Sequence, residues 1–191
     1  MLFRSVDVLV NNAGTCVQAE FARQSLAERR HEMELNYFGA QHMVEALLPS
    51  FLERRSGTIV NVSSLLGSAA APTTANYSGT KAALEAWTQG LRGELARFGI
   101  RVGVFVAPHT RTELGVRTEF RGVVSLPVEY VAGRLVAAID AGKPRFAGSP
   151  VYTMLLRLAA WCPRFMEARM LACVRHLLGD AGAPASVEAR P

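Results

Sequence analysis

Tyr77 and Lys81 stand four residues apart in Tyr77-Ser-Gly-Thr-Lys81, and Ser64 lies thirteen residues before the tyrosine. The segment opens a predicted helix, where residues i and i+4 share a face, so phenol and ammonium lie side by side. A neighbouring cation favours the phenolate and draws a tyrosine pKa down from about 10. That makes Tyr77 a proton donor or acceptor usable near neutral pH. Ser64 ends a predicted buried strand, and Asn36 lies on a helix further back. A proton donor, a cation to tune it and a hydroxyl to grip an oxygen are what chemistry at a carbonyl requires.

These side chains need elements to carry them. An apolar run predicts a strand over 6–10, followed by a turn at Asn12-Ala13-Gly14. Ser25-Leu-Ala-Glu28 is a capping box and predicts a helix start. Its apolar residues continue to about Arg55, with Pro49 expected to kink or loosen it. A strand over 58–62 and a loop over 65–76 come next. Leu84, Trp87, Leu91, Leu95 and Phe98, spaced by three and four, predict an amphipathic helix from about Asn76 to Phe98. Trp87 reads as core packing, and Gly99 as the residue just past the helix end. A strand over 101–106, a loop over 108–127, a helix over 128–141 and a short strand near 145–147 complete the series. Such alternation implies an α/β fold with a parallel sheet and right-handed crossovers. Ligands bind at the carboxyl ends of such strands. Asn12, Ser64 and Pro108 each follow a predicted strand and so converge on one edge.

Composition narrows the classes. At 191 residues, half of them hydrophobic, the length suits one globular domain. The net charge of +5 comes from arginine, since Lys81 and Lys143 are the only lysines. No arginine cluster interleaves with aromatics, which argues against nucleic acid as a partner. Cys16, Cys162 and Cys173 form neither an even framework nor a metal-ligand spacing. A reducing, cytoplasmic setting fits them, and no metal is expected.

Taken in order, Asn11-Asn12-Ala13-Gly14 after the first strand, then Asn36, Asn61-Val-Ser-Ser64 and Tyr77-x-x-x-Lys81 resemble the short-chain dehydrogenase/reductase family. The resemblance covers roughly residues 5–148. It implies a Rossmann-like, doubly wound parallel sheet. No glycine-rich dinucleotide turn precedes Val6, and the sequence begins at what resembles the family's fourth strand. We therefore expect a chain lacking the first three strands and their pyrophosphate contacts. The Val6–Val10 strand, central in the family, is then expected to stand as a flat apolar edge.

The resemblance also implies a reaction: hydride transfer between NADP or NAD and a carbonyl or alcohol, the protein orienting and polarising. Tyr77 is the implied acid/base and Ser64 the hydroxyl on the reacting oxygen. Lys81 tunes the phenol and holds the nicotinamide ribose, and Asn36 anchors a water. Asn12, Ala13, Gly14 and Val62 resemble the cofactor-side wall, together with Pro108, Thr110 and Thr112. The family's Pro-Gly after the sixth strand is here Pro108-His109, and Pro-x-Thr-x-Thr is similar to the segment in reductases of long-chain keto-sphingoid bases. His109 is either a substrate contact or a surface-loop histidine.

Residues 1–150 thus read as the C-terminal portion of such a domain with its catalytic site. Residues 151–178 read as an apolar and basic helical tail, and 179–191 as a frayed end. The tail suits a lid or subunit contact, or the surface of an anionic membrane. The substrate is expected to be a small molecule, apolar if the tail and loop enclose it. A homo-oligomer through the long helices is expected. The choice between NAD and NADP, normally set near the second strand, stays open. So does a second reading: a non-catalytic remnant that keeps the carbonyl site and serves as a binding or partner module.

Overall fold

The protein is seen in a computed structural model that describes residues 6–149, 151, 154 and 161–178. Four parallel strands, β1 (Val8–Asn11), β2 (Gly57–Ser64), β3 (Ile100–Ala107) and β4 (Arg145–Ala147), lie in the order β1-β2-β3-β4. Helices cover both faces. On one face α2 (Gly39–Arg54) and α4 (Ala75–Leu95) bury Val44, Phe51, Leu91 and Leu95 against Leu9, Ile59 and Val102. Trp87 packs against the same cluster. On the other face α6 (Val128–Asp140) sets Val131 against Val60, Val62 and Phe105. The near-continuous apolar β2 and β3 are thus buried on both sides, as parallel strands require.

β1 is the edge of this sheet. Leu9 is 7% exposed, whereas Val8 and Val10, on the α6 side, are 41% and 36% exposed. The expected apolar edge is present. Its register is set by polar side chains as well as by the ladder. Asn11 Nδ2 donates to Asn61 Oδ1 at 2.8 Å, and Asn61 Nδ2 donates to Thr88 Oγ1 at 2.8 Å.

The helix expected from Ser25 to about Arg55 is one run in three parts. Helix α1 (Leu26–Met33) leads into a wide π-turn (Glu34–Phe38) and then α2. Asn36 sits in the π-turn, and Pro49 is accommodated inside α2. The capping box forms: the Glu28 amide donates to Ser25 Oγ at 3.2 Å, and the Ser25 amide donates to Glu28 Oε2 at 2.8 Å. A Ser25→Ala variant is expected to lose about 1 kcal/mol of stability, read by denaturant unfolding.

The two expected loops contain short helices, α3 (Leu65–Ser68) and α5 (Glu113–Arg117). Gly67 lets α3 lie on α4, because a Cβ there would come within 3.0 Å of Lys81 backbone and side-chain atoms. Gly99 adopts the left-handed φ of 74° expected of a helix-ending glycine. After β4, helix α7 (Pro163–Val174) buries Met166, Cys173 and Val174 and leaves Phe165 exposed, as is Trp161 just before it. Residues 152–153 and 155–160 of the expected tail, and the end at 179–191, lie outside the described residues.

Candidate active site

Helix α4 carries Tyr77 and Lys81 one turn apart on its inner face, and both are buried. Ser64 arrives at the end of β2, where its Oγ accepts a hydrogen bond from the Leu66 amide at 3.2 Å and so starts α3. A hydrogen bond joins the Ser64 and Tyr77 side chains. The Lys81 ammonium donates to the Val62 carbonyl at 2.9 Å and lies 5.8 Å from the centre of the Tyr77 ring. The three reactive side chains expected to converge do so, on the wall of one cavity of about 470 Å³.

Their proton affinities correct one expectation. The lysine was expected to lower the tyrosine, yet burial pushes the Tyr77 phenol up to about 12. The Ser64 hydrogen bond pulls it part of the way down, while Cys16 and Glu32 push it further up. Burial also lowers Lys81 to about 8, against a smaller upward effect of Cys16. Spacing reports which groups are neighbours. It does not report how dry their surroundings are, and here desolvation is the largest influence on both groups.

Asn36 lies behind this wall and does not line the cavity. Its Oδ1 accepts from the Thr15 amide at 2.8 Å, and its Nδ2 donates to the Thr15 carbonyl at 2.9 Å and to Thr80 Oγ1 at 3.0 Å. Both hydrogens of its amide nitrogen and one lone pair of its oxygen are therefore engaged by protein, in a clamp on the segment after β1. Gly14 lies against this clamp: a Cβ there would stand 3.1 Å from Asn36 Oδ1 and 3.3 Å from Lys81 Nζ.

Of the expected cofactor-side residues, Asn12, Gly14, Val62, Pro108, Thr110 and Thr112 line the same cavity as Tyr77 and Lys81. Ala13 is exposed beside it and does not. Both threonine hydroxyls have local work. Thr110 Oγ1 donates to the Pro108 carbonyl at 2.8 Å, and Thr112 Oγ1 caps α5 by accepting from the Gly115 amide at 3.1 Å. His109 also lines the cavity. Its ring pairs with Ser125 Oγ at 2.6 Å and Thr118 Oγ1 at 3.2 Å, which ties the loop to itself. Burial lowers its pKa.

Two residues near the site carried no signal in the reading of motifs: Cys16, which lines the cavity, and the fully buried Glu32.

A profile described as short chain dehydrogenase matches residues 1–119. The chain belongs to that family. Among curated proteins it is 39% identical over 122 residues to the ketoacyl reductase HetN of Nostoc, covering 64% of this chain and 42% of that one. It is 39% identical over 114 residues to dehydrogenase/reductase SDR family member 7B of Mus musculus, covering 60% of this chain and 35% of that one. This chain thus spans well under half the length of these relatives. Among solved structures, a short chain dehydrogenase from Burkholderia cenocepacia in complex with NADP superposes with a TM-score of 0.76 at 29% identity, over 86% of this chain and 68% of that one. One from Streptomyces avermitilis gives 0.71 at 29% identity, over 91% and 70%.

Proposed function

We propose that this chain carries the catalytic centre of an NAD(P)-dependent oxidoreductase that interconverts a carbonyl and an alcohol. The observation that carries this reading is a buried phenol hydrogen-bonded to Ser64, with a buried ammonium one helical turn away, all on one cavity wall. The same cavity suits the nicotinamide end of a dinucleotide. Gly14 leaves backbone accessible beside Lys81, and Asn12, Thr110 and Thr112 offer polar groups around it. These residues, with Val62 and Pro108 as apolar walls, would hold the cofactor, and Lys81 would donate to its sugar hydroxyls. When bound, a nicotinamide supplies or accepts the hydride.

The chain's own contribution is to the oxygen. Ser64 donates a hydrogen bond to the carbonyl oxygen as negative charge grows there, and Tyr77 transfers its phenolic proton to it. In the alcohol direction the same proton returns to Tyr77. Leu66, Leu114, Phe120 and Val131 give the cavity an apolar wall, which supports a bulky apolar carbonyl compound as substrate.

The test is an assay of the full-length protein with NADPH and with NADH over a series of ketones, followed by nicotinamide absorbance. Turnover is expected with one of the two cofactors and is expected to be faster with long apolar ketones than with short polar ones. Ser64→Ala is expected to lower kcat/KM about a hundredfold, the typical loss on removing one oxyanion donor. No nicotinamide turnover with any ketone, or a Ser64→Ala variant as fast as the parent, would overturn the reading.

A further inference from the structure

Glu32 has no exposed surface, yet it is an acid. Among the described residues no arginine or lysine forms an ion pair with it. Three neutral donors converge on it instead. The Val17 amide donates to Oε1 at 2.6 Å, and Gln24 Nε2 and Asn76 Nδ2 donate to Oε2 at 3.1 and 2.5 Å. Asn76 Nδ2 is fixed as a donor by a second bond, to the Arg29 carbonyl at 3.2 Å. A site that presents only donors calls for an acceptor with two oxygens, which a carboxylate has and an amide lacks.

The arrangement repeats one turn later. Glu32 and Asn36, four residues apart, grip Val17 and Thr15 on one side. On the other side they meet Asn76 and Thr80, themselves four apart on α4. Each of these two rungs ends one residue before a reactive side chain, Tyr77 after Asn76 and Lys81 after Thr80. Thr80 Oγ1 also donates to the Tyr77 carbonyl at 2.7 Å.

We propose that Glu32 is a positioning residue of this site, the second of two rungs that lock the 15–17 segment to α4 and fix the Tyr77 phenol against Ser64. This rests on the oxidoreductase reading for its consequence, though not for its geometry. The groups that face the phenol are Ser64 from β2, Cys16 from the segment after β1, Glu32 from α1 and Lys81 from α4 itself. The Glu32 charge adds to burial in holding the proton on Tyr77. It acts the same way on the Cys16 thiol between the two clamped residues, which burial, then Glu32, push up to about 12.

The experiment is an ultraviolet difference titration of tyrosine in the full-length protein, with Tyr77→Phe subtracted to isolate the Tyr77 phenolate. It compares the parent, Glu32→Gln, and Asn76→Ala, which removes the same rung from the α4 side and keeps the Glu32 charge. Glu32→Gln is expected to let Tyr77 ionise at lower pH, and Asn76→Ala to move its ionisation to higher pH, because the Ser64 bond that favours the phenolate is loosened. Where the protein turns over ketones, kcat is expected to fall at least about tenfold in Glu32→Gln with KM little changed. A role in overall stability alone would lower the melting temperature and leave Tyr77 where it was. A folded Glu32→Gln variant with an unmoved Tyr77 overturns the proposal. If Glu32→Gln fails to fold, Asn76→Ala decides: a displaced Tyr77 titration supports the proposal, and an unmoved one overturns it. Because the titration needs no turnover, a protein inactive on ketones would refute the oxidoreductase reading and leave the Glu32 result standing.

Discussion

A Tyr77→Phe form of the full-length protein is expected to retain no more than about one-thousandth of the parent turnover on ketones, with KM within about twofold. General acid catalysis by one positioned side chain contributes about a hundred- to ten-thousandfold, and phenylalanine removes the phenolic group placed to give the oxygen its proton. The loss should fall on kcat because the ring itself stays: Phe fills the buried site of Tyr77 and leaves the cavity wall intact. The phenol, held up at about 12 chiefly by burial, keeps its proton across the neutral range, which suits it to donation in carbonyl reduction. Steady-state kinetics with saturating cofactor measure this. Parent-like turnover in Tyr77→Phe would remove Tyr77 from the chemistry.

Lys81→Met is expected to do two opposite things: abolish turnover and raise thermal stability at pH 7. Burial lowers Lys81 from 10.5 to about 8. The unfolded chain keeps that proton up to about 10.5, so between about 8 and 10.5 the unfolded state binds more protons and stability rises with pH. Below pH 8 the folded protein holds a buried ammonium at a cost of about 3 kcal/mol relative to its neutral form. Methionine has similar length and no charge. Its advantage should be largest at and below neutral pH and should vanish as pH approaches 10.5. Melting temperatures across that range check the sign. A variant less stable than the parent at pH 7 would show that the bond to the Val62 carbonyl outweighs desolvation.

Much of this was legible in the amino-acid order because the relevant signals are local. Apolar runs of strand length marked β2 and β3. Three-and-four spacing marked α4, and Ser25 with Glu28 marked the start of α1. Spacing put Tyr77 and Lys81 on one helix face, strand ends put Ser64 at one edge with Asn12 and Pro108, and the family resemblance joined the two groups. The unread parts have a common physical cause: they depend on what packs against a residue from far along the chain. Glu32 is dry only because Val17, Gln24 and Asn76 close over it, and no periodicity in α1 announces that. The rise of the Tyr77 pKa is likewise a property of its enclosure. His109 read as a loop residue with two open fates, and its bonds to Ser125 and Thr118 form only when the loop folds back. Helices α3 and α5 are a single turn each, too short for a periodic signal.

The wide turn at Glu34–Phe38 has a consequence for how this segment can vary. A π-turn holds one residue more than the α-helical turn it replaces, so it offsets the phase of everything after it by about 100°. Upstream of it the run presents Glu32 to α4; downstream it presents Val44 and Phe51 to the sheet. Those two faces agree only because of the extra residue. Removal of a single amino acid from the turn would leave each half as good a helix as before and aim one of them at the wrong neighbour. Changes of residue type along this stretch are therefore open to compensation one position at a time, whereas a change of its length by one is not.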